Sequence, residues 1–371
     1  MKTMEKIFDV IIIGAGPAGV ACAYMCKKKG LTYLLIENGK NVYQNIINTY
    51  PEGKNVYASK PKDSEEGFLL DELRPPDKPV SVEMYVQYVQ HFVQHENLSV
   101  ITETVFENIT TERDIQSVIT NKGVFKARKV ILAFGNSIPK ELKVYGDAKM
   151  VAKTLDDPRK YLGVRTLVIG GGNTAADVVI SILQTKRQEG DTSPVYWAHV
   201  SEKFDVNKET AQRLGEEILL GGGIRLLPGA TPRIGEVDGQ GVDRLIIRIN
   251  EFKESDGISL YHTMSFPMTN VIACIGSQAA SPLLDKLQIQ TISCTEGICK
   301  VAKEGDRLVL LTAEYETTRK GIYMIGGAIS PSYMKMADGA IAEEKHPNLI
   351  YTAINDAVNV VETICTKLEK N

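Results

Sequence analysis

Two glycine-rich strand–turn–helix units, at residues 8–37 and 166–183, together with a C-terminal strand and helix too few to fold alone, predict an α/β protein. The expected fold is two Rossmann-like dinucleotide-binding domains, the second inserted into the first. The expected bounds are 1–155 with 283–371 for the first, discontinuous domain and 156–282 for the second.

The first unit opens on Val10-Ile11-Ile12-Ile13, a short β-branched run suited to a strand buried on both faces of a parallel sheet. Gly14 allows the tight bend that follows. Across Gly14-Ala15-Gly16-Pro17-Ala18-Gly19, Gly16 lets a pyrophosphate approach the backbone and Gly19 lets the opening helix pack closely. The helix N-terminus offers N–H groups to phosphate. Glu37 ends the second strand, where a carboxylate accepts from the adenosine ribose hydroxyls.

Length sets a prior of two or three domains over 371 residues. With Lys+Arg 43 against Asp+Glu 46, a formal charge of −3 and no tail of one sign, nothing asks for nucleic acid or a membrane surface. Apolar runs stop short of the roughly 20 residues that a span needs. The N-terminal stretch carries no cleavable hydrophobic segment, so a cytoplasmic location is expected. Six cysteines with no Cys-x-x-Cys agree with it.

Residues 38–82 are rich in Asn, Pro, Gly and charge and read as a long loop, of the kind that is functional or disordered. Met84, Val86 (or Tyr85), Val89 and Val93 then recur at helical spacing and predict a core-facing helix. Residues 98–129 alternate as an antiparallel ribbon ending in a buried strand that closes on Ala133-Phe134-Gly135.

After Leu167-Val168-Ile169 the pattern repeats, with Gly170, Gly172 and Ala175 enclosing Asn173 and Thr174 at a helix start. Two such cradles in one chain mean most simply that one nucleotide cofactor hands electrons to another. The next strand carries Trp197 and ends at His199, Val200, Ser201, Glu202 and Lys203, where an acid favours NAD and a cation the 2′-phosphate of NADP. Glu202 points to NAD; Lys203 or Arg213 would suit a phosphate. Gly276 ends the last strand of this unit. Beyond Pro282 come a helix, a hairpin-like region to Thr318, the strand 321–327, a polar loop and a helix from Tyr351, which together complete the first sheet.

On these residues the chain resembles the two-dinucleotide-binding-domain flavoproteins of the low-molecular-weight thioredoxin reductase group. Within it, Gln44 and Tyr50-Pro51-Glu52-Gly53-Lys54 are similar to the signature of the thioredoxin-reductase-like ferredoxin-NADP reductases, with Gly53 an insertion. The resemblance implies FAD at the first cradle and NADH or NADPH at the second. It also implies Glu37 on the FAD ribose, Gln44 and Tyr50 beside the flavin, Val105 by the adenine, and Ala133 and Gly135 in the family's Ala-Thr-Gly turn. The same resemblance implies that Thr352 and Ala353 open a helix whose dipole faces the flavin pyrimidine.

The chain departs from that pattern in three places. Gly326-Gly327 stands for the family's Gly-Asp, whose Asp holds the ribityl chain; His199-Val200-Ser201 stands for His-Arg-Arg; and no Cys-x-x-Cys lies in the second domain. Ala18 likewise replaces the cysteine that the related bacillithiol disulfide reductases place after the Gly-Pro of the first turn. Cys22 and Cys26 read as packing residues; Cys294 and Cys299 are close enough in sequence to form a redox pair. Lys27-Lys28-Lys29 complements a helix C-terminus or, alternatively, docks ferredoxin. The five histidines show no metal spacing.

The function expected is an FAD-dependent NAD(P)H oxidoreductase, homodimeric by resemblance, delivering electrons to ferredoxin, flavodoxin or a small-molecule acceptor. The alternatives are a small-disulfide or quinone reductase and a redox sensor without turnover.

Overall fold

The structure, a computed structural model, describes residues 6–50, 54–61, 64–135, 138–237, 243–253, 259–278, 281–294, 299, 301 and 306–369. Pro51, Glu52 and Gly53 of the expected signature lie outside them. The chain divides into two compact units, Met1–Asn48 with Asn55–Ile138 and Gln278–Asn371, and Thr49–Lys54 with Pro139–Ser277. The second unit begins earlier than residue 156 because Tyr145 and Gly146 pair with Ile234 and Gly235, and Ala152 bridges to Ile272.

In the first unit β1 (Ile7–Ile13) lies parallel between β2 (Tyr33–Ile36) and β6 (Gly123–Leu132), with Ile12 opposite both Leu35 and Ile131. Val10, Ile11 and Ile12 are fully buried, as an unbroken apolar strand requires. β3 (Val100–Ile101) flanks β2, while β4 (Phe106–Glu112) and β5 (Ile115–Thr120) form the expected ribbon on the first half of β6. α1 (Pro17–Lys28) buries Ala21, Cys22, Ala23 and Cys26, so the two cysteines pack as small apolar groups. A short α2 (Gln44–Thr49) interrupts the long loop.

α3 (Val82–His95) starts at Ser81, whose Oγ accepts from Met84 N–H. Its buried stripe is Val82, Tyr85, Val86, Val89, Phe92 and Val93, whereas Met84, expected to face the core, is 60% exposed. Tyr85 takes the core position because its hydroxyl donates to Leu73 O at 2.7 Å, which satisfies the polar tip.

In the second unit β7 (Thr166–Ile169), α4 (Asn173–Gln188), β8 (Val195–Ala198), α5 (Lys208–Leu219) and β9 (Ile224–Leu227) follow in order. With β13 (Val271–Ala273) the strands form a parallel sheet, β9-β8-β7-β13. An antiparallel meander of β10 (Ala230–Val237), β11 (Asp243–Lys253) and β12 (Ser259–Pro267) supplies Leu245, Ile247 and Phe266 to a core with Leu167 and Ile169. Val178, Val179 and Ile182 of α4 pack with Val168 and Trp197.

The end of α4 is pinned by Lys186, which donates to Asp191 and to Val164 O at 2.9 Å each. Burial alone would raise the Asp191 carboxyl, but Lys186 and the Ser193 and Gly163 N–H groups hold it well below the usual carboxylate range. A depressed value contributes stability above the unfolded pKa of about 3.9 and loses it as pH falls toward the folded value. Asp191→Asn is therefore expected to lower the urea midpoint at pH 7 and to lose less against the parent at about pH 3. Equal losses at both would refute the linkage.

The chain then returns to the first unit through α6 (Ser281–Lys286), β14 (Thr291–Ser293) and β15 (Arg307–Thr312), and β16 (Ile322–Met324) joins β6 in parallel, completing the first sheet. The polar loop expected next is instead a hairpin, β17 (Ser332–Ala337) and β18 (Ala340–Lys345). Asp338 and Gly339 make its turn, both at positive φ, and Met334 is buried while the facing strand, Ala340–Lys345, is almost wholly exposed and carries no apolar–polar alternation. α7 (Ile350–Glu369) closes the chain. Its Tyr351 hydroxyl bonds Ser64 and Glu66 O, and its Asn355 bonds Gly67 O and Leu69 N–H, so this helix fastens the long loop.

Candidate functional site: two glycine cradles

At the first cradle Gly14 sits at φ +101°, donates to Ile36 O at 2.8 Å, and would place a Cβ 2.6 Å from Ala133 O. A Cβ on Gly19 would lie 1.8 Å from Gly14 O, so the helix rests directly on the turn. Gly16 is the opposite case. It precedes α1 with open space around it, no side chain caps the helix, Pro17 takes the first position, and the first turn has no acid. The surface offered is that of an anion site, and a pyrophosphate fits it.

Glu37 Oε2 accepts Ala15 N–H and Oε1 accepts Gly39 N–H, both at 2.7 Å. Each oxygen keeps a further lone pair for a ribose hydroxyl. Gln44 lies over Gly39 at this end of the cradle, its Oε1 accepting Asn41 N–H at 3.2 Å and its Nε2 donating to Asn48 at 3.0 Å. Val105 is exposed beside Thr104, whose N–H donates to Glu37 O at 2.9 Å. Gly135 follows the Ala133 contact at φ +75°. Gly327 is the one partly exposed residue in a buried run from 321 to 330. Thr352 Oγ1 donates to Pro347 O at 2.6 Å at the start of α7, and Ala353 faces Gly326.

At the second cradle a Cβ on Gly170 would meet Cys274 O at 2.2 Å, Trp197 Nε1–H donates to Gly170 O at 2.6 Å, and Ala175 is buried. Gly172 precedes α4 with open space, and Asn173 and Thr174 are exposed. The segment after β8 folds back on the turn. Its His199 ring covers Gly171, Asp205 N–H donates to Gly171 O at 2.7 Å, and Asn207 N–H donates to Asn173 Oδ1 at 2.8 Å. Glu202 and Lys203 are exposed on this segment. Arg213 is committed elsewhere, 3.0 Å from Asp177, and Lys54 reaches the same carboxylate at 3.2 Å while lying over the Tyr50 ring. Tyr50 thus packs with the second unit and Gln44 with the first. Gly276, at φ +87°, accepts Lys140 N–H.

A family model described as pyridine nucleotide-disulphide oxidoreductase matches residues 11–210, a span that takes in both cradles. The chain belongs to that family. The family is named for a pyridine nucleotide, and both glycine turns, each open at a helix N-terminus, fit the pyrophosphate of a dinucleotide. Among curated relatives, ferredoxin–NADP reductase 2 of Bacillus mycoides is 26% identical over 223 residues, 58% of this chain and 60% of the relative. A ferredoxin–NADP reductase of Limosilactobacillus reuteri is 27% identical over 217 residues, 57% and 59%. The chain thus spans about three fifths of the length of these relatives.

Solved structures similar in fold include bacillithiol disulfide reductase Bdr (YpdA) from Staphylococcus aureus, with TM-score 0.72, 19% identity and coverage of 98% of this chain and 99% of that one. Thioredoxin reductase from Lactococcus lactis gives 0.67, 16%, 98% and 100%. At these identities the likeness is one of fold.

Within this family's architecture the other candidates fall into place. Cys294 and Cys299 pack in one apolar cluster, but the hydrogen bond that the Cys299 thiol donates to Cys294, then burial, pushes that thiol up to about 11, which makes it a poor nucleophile. Lys27, Lys28 and Lys29 each have a carboxylate partner, Glu96, Glu72 and Glu362, so the run is no free cationic patch. Among the described residues no cluster of His, Cys, Asp or Glu is arranged to hold a metal. Sequence reasoning missed Asp205 and Asn207, which lock the second turn, and the buried set Asp356, His346 and Ser330 behind Gly326. No spacing rule flags either group.

Proposed function

We propose that the chain is an FAD-dependent NAD(P)H oxidoreductase that takes hydride from the nicotinamide and passes electrons to an external acceptor, ferredoxin or flavodoxin. FAD is assigned to the first unit and the nicotinamide dinucleotide to the second. The carrying observation is the pair of glycine turns, each closed against its sheet and open at a helix N-terminus, in a chain without Cys-x-x-Cys. The ferredoxin–NADP reductases among its relatives support the choice of acceptor.

Flavin, when bound, accepts hydride and releases electrons singly or in pairs. The protein's part is to bind, orient and tune. The first turns of α1 and α4 hold the two pyrophosphates by N–H groups and helix dipole, and Glu37 takes the FAD ribose. The start of α7, at Thr352 and Ala353, presents positive potential to the flavin. A homodimer and a cytoplasmic setting belong to the same proposal; among the described residues no helix is long and apolar enough to cross a membrane.

Nicotinamide choice follows from the loop after β8. Val200 and Ser201 offer no guanidinium, Arg213 is held by Asp177, and Glu202 suits free ribose hydroxyls, so NADH serves at least as readily as NADPH. An arginine–phosphate contact is worth roughly 1.5–3 kcal/mol, so its loss removes most of an NADPH preference.

The test is anaerobic mixing of the yellow protein with each cofactor, followed by dye, ferredoxin and thioredoxin as acceptors. Expected are flavin bleaching, transfer to dye and ferredoxin but poor transfer to thioredoxin, and the same dye activity in a Cys294→Ser, Cys299→Ser variant. Loss of all activity in that variant would replace the external-carrier reading by an internal disulfide. A kcat/KM preference for NADPH beyond about a hundredfold, about 2.7 kcal/mol, would overturn the cofactor assignment.

A further inference from the structure

Behind the first cradle lies a buried polar cluster that the proposed function does not use. Asp356, on α7, is 4% exposed, and its Oδ2 lies 2.9 Å from both Gly326 N, whose hydrogen it accepts, and His346 Nε2. His346 follows β18; its Nδ1 stands 2.9 Å from Ser330 Oγ, and both residues are buried. Gly326 is the meeting point of three elements. At φ +64° it would place a Cβ 2.8 Å from that of Ala18 in the first turn of α1 and 3.7 Å from that of Ala353 in the first turn of α7. The carboxylate therefore grips, through one peptide, the turn that carries Gly327 where an Asp was expected.

Hydrogen bonding dictates where protons reside. Facing a carboxylate oxygen that already accepts Gly326 N–H, His346 Nε2 is the ring nitrogen suited to donate. Nδ1 has a choice, since the Ser330 hydroxyl donates to a neutral imidazole and, on rotation, accepts from an imidazolium. His346 can thus gain and lose one proton without losing a hydrogen bond. The other titratable groups facing the pair do not compete. Burial, then Asp356, pushes up Tyr315 from the loop after β15; burial, then Glu344 and Asp356, pushes up Tyr333 of β17; burial, then Cys26 and Asp356, pushes up Cys22 of α1. All three stay protonated near neutrality. Glu344 of β18 is exposed and lies 3.9 Å from Lys335.

We propose that His346, held between Asp356 and Ser330, is a proton-holding site linked to the cofactor of the first cradle. It takes one proton from water when electrons add negative charge to the bound flavin, and returns it when they leave. The proposal rests on the FAD reading. NAD(P)H supplies the hydride and is oxidised, the flavin is reduced and gains one negative charge, and the solvent proton on Nδ1 offsets that charge. In a low-dielectric interior such charges couple strongly.

The measurement is the midpoint potential of the bound FAD from about pH 5.5 to 9, the range in which a histidine titrates. Each additional proton per two electrons adds about 30 mV per pH unit to the slope. The parent is expected to show that steeper segment, and His346→Gln, which keeps a donor to Asp356, to lack it. Ser330→Ala strips the acceptor from the imidazolium, where a charged hydrogen bond is lost, and moves the segment to lower pH. Equal slopes in the parent and His346→Gln overturn the proposal; should that variant not fold, an unmoved segment in Ser330→Ala does so. A protein that shows no flavin absorbance after FAD is supplied overturns the FAD reading and the linkage with it, and the spectrum separates the two failures.

Discussion

Gly16→Ala is expected to melt like the parent apoprotein and yet to hold almost no FAD. Gly16 has an extended backbone that any residue adopts, at φ −77° and ψ −169°, and nothing lies within 4 Å of the position of a Cβ. The methyl group costs the fold nothing and fills the space through which a pyrophosphate reaches the α1 N–H groups. A charge-assisted hydrogen bond is worth roughly 1.5–3 kcal/mol, so losing even one lowers affinity by about one to two decades. Gly19→Ala is the informative control. Its Cβ would lie 1.8 Å from Gly14 O, so α1 must move off the turn, and overpacking of that kind costs roughly 1–3 kcal/mol in the apoprotein itself. Titration of apoprotein with FAD, beside its melting curve, checks both. If Gly16→Ala bound FAD as the parent does, the first cradle would not be the pyrophosphate seat.

Asp177→Ala is expected to be the most destabilising single change in the second unit. The carboxylate is buried on α4 between Arg213 at 3.0 Å and Lys54 at 3.2 Å. Removing it leaves two cations facing each other with no anion between them. Breaking a buried pair costs about 3–5 kcal/mol, and the partial exposure of both cations argues for the lower end, about 3 kcal/mol. For a unit of this size that is roughly a 6–12 °C fall in Tm. Asp177→Asn keeps an acceptor and should lose less. A fall of under about 1 kcal/mol in Asp177→Ala, read from urea midpoints, would mean that solvent screens the cluster. The same variant frees Arg213, so a rise in NADPH use relative to NADH is expected alongside the loss of stability.

The geometry of the candidate site is largely legible in the sequence because its rules are local. Gly14, Gly16 and Gly19 follow a buried strand at fixed spacing, and the structure gives each its own reason: a turn, an open approach and a close contact. Glu37 was legible as the acid ending β2, but its grip on Ala15 and Gly39 N–H was not, since that depends on the turn folding back over it. The β17–β18 hairpin was missed although Asp338-Gly339 is a strong turn signal, because its second strand runs Ala-Ile-Ala-Glu-Glu-Lys, exposed almost throughout and without the period-2 alternation of a half-buried strand.

The sequence by itself determined the two cradles, their order, the return of a strand to the first sheet and the absence of a Cys-x-x-Cys. Each depends on backbone freedom, burial period or plain composition within a short window. Only the tertiary structure decided which charges meet. Lys27, Lys28 and Lys29 find Glu96, Glu72 and Glu362; Arg213 and Lys54 share Asp177; and Ser330, His346 and Asp356 line up behind Gly326. A charged side chain takes its partner from whatever the closed fold brings within hydrogen-bond reach. That distance is set by packing of elements far apart in the chain, and no local pattern encodes it.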